Sequence, residues 1–314
     1  DHNSWWQTLL SWIPFTGNRS SGRVADLVTL GDAWFAKAIE QQLIKPLPVR
    51  RLTGWSQIAS YPALQQLVTR NQQGFPDPSG QVWGVPYRMG STVIAYRRDI
   101  FEQQGLQPPT DWADLWRPEL RGRISLLNQA RDVIGLTLKK LGKSYNEANL
   151  RQIPELENEL RSLQAQVKFY SSDTYLQALM LDDVWVSVGW STDVLPLTRR
   201  SRQISVVIPK SGTALWADLW VNPVMNPDPL SLAALDWIDF CWKPDIAAQI
   251  SESTWATSPS LLNTPIDQLP QTFREQPALL PDAATLQASE FLLPLANDTI
   301  QQYQTAWTTL RQAA

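Results

Sequence analysis

The most informative run of the sequence is Ala214-Leu-Trp-Ala-Asp-Leu-Trp-Val-Asn-Pro223. It is rich in residues that favour β-strands and it ends at a proline, so it predicts a buried extended segment. Side chains two residues apart in a strand share one face, which places the carboxylate of Asp218 between the indoles of Trp216 and Trp220. Such a carboxylate either caps a turn or pairs with an arginine of the fold, or it binds a cationic ligand such as an amine.

Composition limits the class of protein. A chain of 314 residues predicts about two domains, and 43% hydrophobic with 18% charged residues is typical of a globular protein with a sizeable core. The net charge is −3 and no basic run exceeds two residues, which argues against nucleic-acid binding. No stretch approaches the ~20 apolar residues of a membrane span.

Cysteine and histidine are too scarce for most metal and catalytic chemistry. Cys241 is the single cysteine and His2 the single histidine. This excludes a disulfide framework and argues against zinc sites and against Ser-His-Asp or Cys-His catalysis. Because no Walker loop or dinucleotide glycine fingerprint is present either, we expect no cofactor and no metal. The 16 tryptophans indicate either core packing or an aromatic ligand cleft.

Alternating strand and helix patterns predict an α/β protein. The first unit is a strand at Asp26–Leu30, a turn at Gly31, and a helix that Asp32 caps and that runs to about Gln42. The same signals predict strands at 91–96, 124–127, 167–170, 184–190 and 204–209, and helices at 130–141, 154–164, 174–180, 232–242 and 245–253. Helical stripes also mark residues 5–13 and the chain end, where Ile300, Tyr303, Trp307 and Leu310 recur at spacings of three and four.

Polar and aromatic side chains follow two of these strands. Gln129 and Asp132 lie between a strand and the first turn of a helix, and Trp190 ends another strand. Open α/β sheets bind ligands at such strand ends. The structural alternatives are that Asp132 complements the helix dipole and that Trp190 packs in the core.

Seven segments, in order from about residue 26 to 260, resemble the periplasmic spermidine/putrescine-binding proteins of ABC transporters. They are Asp26–Lys37; Gly84-Val-Pro-Tyr-Arg-Met-Gly-Ser-Thr92; Asp111-Trp-Ala-Asp-Leu-Trp-Arg-Pro-Glu-Leu-Arg-Gly122; Ala130-Arg-Asp-Val133 with Leu141-Gly142; Val188-Gly-Trp190; Ile208-Pro-Lys-Ser-Gly212; and Leu215-Trp-Ala-Asp218.

The resemblance implies a two-lobe periplasmic binding protein fold of type II, with crossing hinge strands and a ligand cleft between the lobes. By this likeness lobe one is 1–97 plus 219–263, and lobe two is 98–218 plus 264–314. The family begins with a strand and a helix that have no counterpart here, so lobe one is expected to lack them or to replace them with residues 1–24.

The resemblance also implies ligand-binding positions. The family's amine-binding aspartate and its neighbouring tryptophan match Asp218 and Trp216. A pair of family acids becomes Gln129 and Asp132, so that one negative charge is lost and the other acid has a shorter side chain. The full set of expected ligand-binding residues is Asp218, Trp216, Trp190, Asp132, Gln129, Trp255, Asp32 and Trp34.

The function implied is that of a non-catalytic solute receptor. Its ligand would be a small-molecule cation, a polyamine such as putrescine or spermidine. We expect an exported, monomeric protein in the periplasm that is at most peripheral to the membrane and that docks on an ABC transporter permease.

Other functions stay open. The lost acid leaves room for another small polar or cationic solute, and the altered first lobe for a degenerate lobe kept as an interaction module. A glycoside hydrolase needs two carboxylates ~5–9.5 Å apart, for which Asp132 and Asp218 are candidates. Nothing in the sequence indicates an acid of raised pKa, which argues against that enzyme.

Overall fold

The computed structural model describes residues 25–226 and 229–312. The helical stripe predicted at residues 5–13 lies outside this part of the chain. Helices are α1 (Asp32–Glu40), α2 (Trp55–Ala59), α3 (Pro62–Val68), α4 (Arg98–Gln103), α5 (Ala130–Lys140), α6 (Leu156–Gln164), α7 (Tyr175–Met180), α8 (Ser191–Arg200), α9 (Leu232–Cys241), α10 (Pro244–Thr254), α11 (Gln271–Glu275), α12 (Ala283–Ala288) and α13 (Asn297–Gln312).

The strands form one large mixed sheet and a small hairpin. They are β1 (Val28–Gly31), β2 (Ile44–Lys45), β3 (Thr69–Arg70), β4 (Gln81–Val82), β5 (Gly84–Arg97), β6 (Ile124–Leu126), β7 (Val167–Tyr170), β8 (Val186–Trp190), β9 (Ile204–Val207), β10 (Ala214–Pro223) and β11 (Glu290–Phe291). The large sheet runs β1-β10-β5-β8-β6-β7, with β2 and β11 also paired to β10 and β9 paired to β5; β3 and β4 form the hairpin. The α/β class predicted from the sequence is confirmed.

Two apolar cores lie along this sheet, and β5 passes from one to the other. Residues 84–91 of β5 pair with β10, whereas residues 92–97 pair with β8 and β9. Met89 packs in the first core and Ile94 in the second. On β10 the change falls between Ala214, in the second core, and Leu215, in the first. Both strands therefore cross between two separately packed lobes.

The core changes at 89–94 and 214–215 fall several residues before the predicted lobe bounds at 97–98 and 218–219. The bounds themselves stay a prediction. A third apolar cluster packs residues 247–279 against Leu195 of α8, so this part of the chain contacts the second lobe through that helix.

Most predicted elements are confirmed where a local signal defines their ends. β10 has the bounds of the quoted run, Ser231 caps α9 by accepting a hydrogen bond from the N–H of Ala234 (3.1 Å), and Gly142 follows α5 with φ +70°. The strand predicted at 91–96 continues without a break from residues 84–90, so that both segments join in one longer strand, β5. The segment directly after Trp190, for which no helix is predicted, forms α8.

The start of α1 also differs from the prediction. Gly31 occupies the N-cap position and ends β1, and Asp32 is the first helical residue. The carboxylate of Asp32 accepts a hydrogen bond from the N–H of Ala217 in β10 (3.2 Å). A long-range partner therefore takes the side chain that the local pattern assigned to the cap.

Gly212 fixes the approach to β10, and its replacement tests this arrangement. Its φ is +91°, and a β-carbon there would overlap the carbonyl oxygen of Ala288. For Gly212→Ala we expect an unfolding free energy lower by about 3 kcal/mol or more, since left-handed backbone costs ~1–2 and overpacking ~1–3 kcal/mol. Urea denaturation measures this.

Gly105→Ala is the matched control for this prediction. Gly105 has φ +67°, but no described atom lies within 4 Å of its would-be β-carbon, so only the backbone cost of ~1–2 kcal/mol is expected. Equal losses in the two variants would show that the contact with Ala288 does not constrain the strand.

Candidate functional site

A row of side chains follows β5 where it crosses between the lobes. Arg88, Gly90 and Thr92 alternate along the strand and so share one face. Across the ladder, Trp216 of β10 stands opposite Gly90 and Asp218 stands opposite Arg88. The row therefore reaches from residues packed on the first core to residues packed on the second.

Asp218 is held by a cation of the protein. The Nε and Nη2 of Arg88 both donate to its Oδ2, each at 2.7 Å, and the two side chains are 29% and 21% exposed. A register shift in the ladder just after Asp218 accompanies this direct pairing. The alternative in which Asp218 pairs with an arginine is the one found, so its charge is already compensated within the protein. A ligand-binding role of Asp218 stays a prediction.

Asp32 lies beside this ion pair. Burial raises the pKa of Asp32 to about 7; the negative charge of Asp218 adds to this, while the N–H groups of Ala217 and Ala33 and the Arg70 guanidinium oppose it. A β-carbon on Gly31 would lie 3.6 Å from Oδ1 of Asp218, so the chain passes close to that carboxylate. Asp32 thus ties α1 to β10 through a partly compensated charge.

Asp132 is the buried carboxylate at the other end of the row. It lies in the first turn of α5, its exposure is 7%, and Thr92 Oγ1 donates to its Oδ1 at 3.2 Å. Burial raises the pKa of Asp132 to about 6, against the opposing effects of the Thr92 hydrogen bond and the nearby Arg131. Among the described residues no ion pair within 4 Å includes Asp132.

Gln129 occupies the N-cap position of α5, three residues before Asp132. Its side chain makes no capping hydrogen bond and is half-buried. Residues three apart are neighbours on a helix surface, so the amide of Gln129 and the carboxylate of Asp132 start the same turn. This is the arrangement that the strand-end pattern predicted.

Trp190 ends β8 directly opposite Thr92. Its ring meets Tyr175 edge to face, with centroids 6.4 Å apart, and the Tyr175 hydroxyl donates to Asp193 (2.8 Å). A β-carbon on Gly189 would overlap the Tyr175 ring, so glycine allows the close packing that sets the position of Trp190. Trp190 remains partly exposed beside Thr92, the residue of the row that is hydrogen-bonded to Asp132.

Trp216 covers Gly90. A β-carbon at Gly90 would overlap the indole of Trp216 and would lie 2.6 Å from Ser191 Oγ. Within the described part of the chain, the buried indole nitrogen of Trp216 has no hydrogen-bond partner. An unpaired buried donor is costly in free energy, so a hydrogen-bond acceptor placed next to the Trp216 indole nitrogen would be stabilising.

The remaining predicted residues lie at the margins. Trp34 is 37% exposed on α1, two residues after Asp32. Trp255 ends α10 with φ +54°, and the guanidinium of Arg199 lies 5.6 Å from its ring centroid. The ligand-binding roles of Trp34 and Trp255 stay predictions.

Sequence reasoning gave Arg88 no role, although the residue stands in a quoted motif. Only the register of β5 against β10 shows that it faces Asp218, and no local signal reports that register. The sequence also indicated no acid of raised pKa. In the structure, burial raises the pKa of Asp132 and of Asp32, and that burial is set by tertiary packing.

Features elsewhere in the described structure are weaker candidates for a binding site than this row of side chains. A groove of about 480 Å³ lies between α6 and α13, but its charged side chains have partners: Glu157 pairs with Arg161, and Arg151 pairs with Asp298. No group of three or more His, Cys, Asp or Glu suited to a metal ion occurs in the described residues. Nor does any described helix have the length and apolar character to cross a membrane.

Comparison with known proteins gives the family. The sequence profile of a bacterial extracellular solute-binding protein family matches residues 22–286. The spermidine/putrescine-binding periplasmic protein of Escherichia coli K12 is 30% identical over 215 residues, 68% of this chain and 60% of that protein. The putrescine-binding periplasmic protein PotF of the same organism is 25% identical over 303 residues, 91% of this chain and 78% of that protein.

Solved structures agree on the fold. The spermidine/putrescine ABC transporter substrate-binding protein PotD of Streptococcus pneumoniae superposes with a TM-score of 0.82 at 22% identity, covering 100% of this chain and 88% of that one. A likeness at this identity concerns the fold, which is the two-lobe architecture that the sequence motifs implied. With the profile matched over most of its length, the chain belongs to the bacterial extracellular solute-binding protein family.

Proposed function

We propose that this protein is the extracytoplasmic solute-binding component of an ABC transporter and that it binds a small amine-bearing solute where the two lobes meet. The relatives are named for spermidine and putrescine, so polyamines define the solute class to test. The chain covers 60% of the length of the first of these relatives.

The observation that carries the proposal is the carboxylate of Asp132. Among the described residues it has one side-chain hydrogen-bond donor and no ion pair, so the burial of its charge is poorly compensated and its pKa rises to about 6. An ammonium group of the solute would supply the missing charge. A charge-assisted hydrogen bond of this kind contributes about 1.5–3 kcal/mol.

Two indoles flank the same stretch of β5. Trp190 stands opposite Thr92, the residue that bonds Asp132, and Trp216 stands opposite Gly90. Indole faces attract ammonium groups by up to about 2 kcal/mol and cover methylene groups. The lobe-two end of the row thus supports recognition of an amine on an aliphatic chain.

The crossing strands give this site a way to signal occupancy. Residues from both cores contribute to the row, so a bound solute contacts both lobes at once and favours their closure. The closed pair would offer one surface to a permease. We place the protein outside the cytoplasm, in the periplasm, as a monomer without catalytic activity.

Asp132→Asn tests the amine end. Isothermal titration with putrescine and spermidine should show binding to the native protein that weakens at least about tenfold in the variant, since the acceptor charge is lost. Asp173→Asn, an exposed acid of the same lobe, serves as the control and should bind like the native protein. Affinities within twofold of native in Asp132→Asn would reject the assigned site.

The pH dependence of stability provides a second check. The pKa of Asp132 is about 6 in the folded protein and ~3.9 when unfolded, so the folded state binds the extra proton and stability falls as pH rises from about 4 to 6. Asparagine mimics the protonated form. Asp132→Asn should therefore raise the thermal midpoint at about pH 7.5, with little change near pH 4.

This comparison isolates one group, because Asp32 titrates in both proteins. A variant that melts lower than the native protein at both pH values would identify Asp132 as a structural hydrogen-bond acceptor rather than a solute-binding group.

A further inference from the structure

We infer that Arg88 receives a carboxylate of the solute, so that the preferred ligand is an aliphatic amino acid with its amine and carboxylate at opposite ends, rather than a diamine. The inference rests on the proposed function for the amine end, where Asp132 binds. It assigns the other end of the row, where the relatives' names suggest a second amine.

Arg88 is held in place by Asp218, but not all of its hydrogen-bond donors are used. A guanidinium carries five N–H donors in a rigid fork, and here its described hydrogen bonds both go to one oxygen of Asp218. The Nη1 group makes no hydrogen bond to another described residue, and 29% of the side chain is exposed. Asp218 thus acts as a positioning residue: it holds the Arg88 guanidinium in place and leaves some of its N–H donors available at the surface of the site.

The ion-paired carboxylate at this end already has its cation. Asp218 is neutralised by Arg88, and the buried carboxylate of Asp32 is directed to the N–H of Ala217. An ammonium group brought here would be repelled by the Arg88 guanidinium, because Asp218 is already shared with that guanidinium. A carboxylate would meet unpaired N–H donors in the geometry that favours bidentate binding.

An unpaired hydrogen-bond donor in the site also favours a carboxylate over an amine. The buried indole nitrogen of Trp216 lacks an acceptor among the described residues, and Trp216 neighbours Asp218 on one face of β10. A protonated diamine carries only donors and leaves this group unpaired. A carboxylate carries acceptor oxygens only, which complements both Trp216 and Arg88.

The spacing suits a solute with separated charges. Arg88 and Thr92 are four positions apart on β5, which is about 13 Å along the strand. The Thr92 end holds Asp132 for the amine. Between them the indole of Trp216 packs onto Gly90, and this indole offers an apolar surface to methylene groups.

Matched pairs of ligands test the inference. Calorimetry on the whole chain would compare 4-aminobutyrate with putrescine and 5-aminopentanoate with cadaverine, where a carboxylate replaces the terminal aminomethyl group. We expect the native protein to bind each amino acid at least about tenfold more tightly than its diamine. Arg88→Gln should reverse this order, because it removes the cation and frees Asp218 to accept an amine.

Two further variants keep the result interpretable. Arg88→Lys retains the charge without the fork and should keep the preference while weakening amino-acid binding. The double variant Arg88→Gln with Asp218→Asn removes both charges and should bind the amino acids and the diamines with the same reduced affinity. A thermal midpoint near that of the native protein verifies folding for each variant.

The outcomes separate the two proposals. Tighter binding of the diamines by the native protein, or an equal loss for both ligand types in Arg88→Gln, would overturn the role of Arg88 while leaving the solute-receptor function intact. Failure of the native protein to bind any of the four compounds would overturn the proposed function, and the role of Arg88 with it.

Discussion

The antiparallel pairing of β5 with β10 is the constraint on which this molecule depends. Each strand belongs to both apolar cores, so the ladder between them is also the connection between the lobes. Their shared register decides which side chains meet at the crossing. Trp216 falls on Gly90 and Asp218 on Arg88, and a slip of one residue would turn every one of these groups to the other face.

Charge burial gives the two ends of the crossing different characters. Asp132 is buried in the second lobe, Thr92 is its one side-chain hydrogen-bond donor among the described residues, and burial raises its pKa. Asp218 is partly exposed and has its cation already in Arg88. The same residue type is therefore poorly compensated at one end and ion-paired at the other.

This difference separates family membership from ligand identity. The sequence profile and the two-lobe architecture follow from core packing and strand topology, which many side chains share. Neither of these fixes the few side chains at the crossing, where Arg88 stands opposite Asp218. A fold held in common is thus compatible with a different solute.

The sequence by itself determined the family and those elements whose ends carry a local signal. Local signals were sufficient for β10, for the serine cap of α9 and for the glycine after α5, since each acts over a few residues. The strand-end pattern also placed Gln129 and Asp132 at the start of α5 and Trp190 at the end of β8. Tertiary structure decided what those signals do not reach: the joining of β5, the tie between Asp32 and Ala217, and above all the partner of Asp218. Arg88 lies 130 residues away along the chain, and only the pairing of two distant strands brings its charge to that carboxylate.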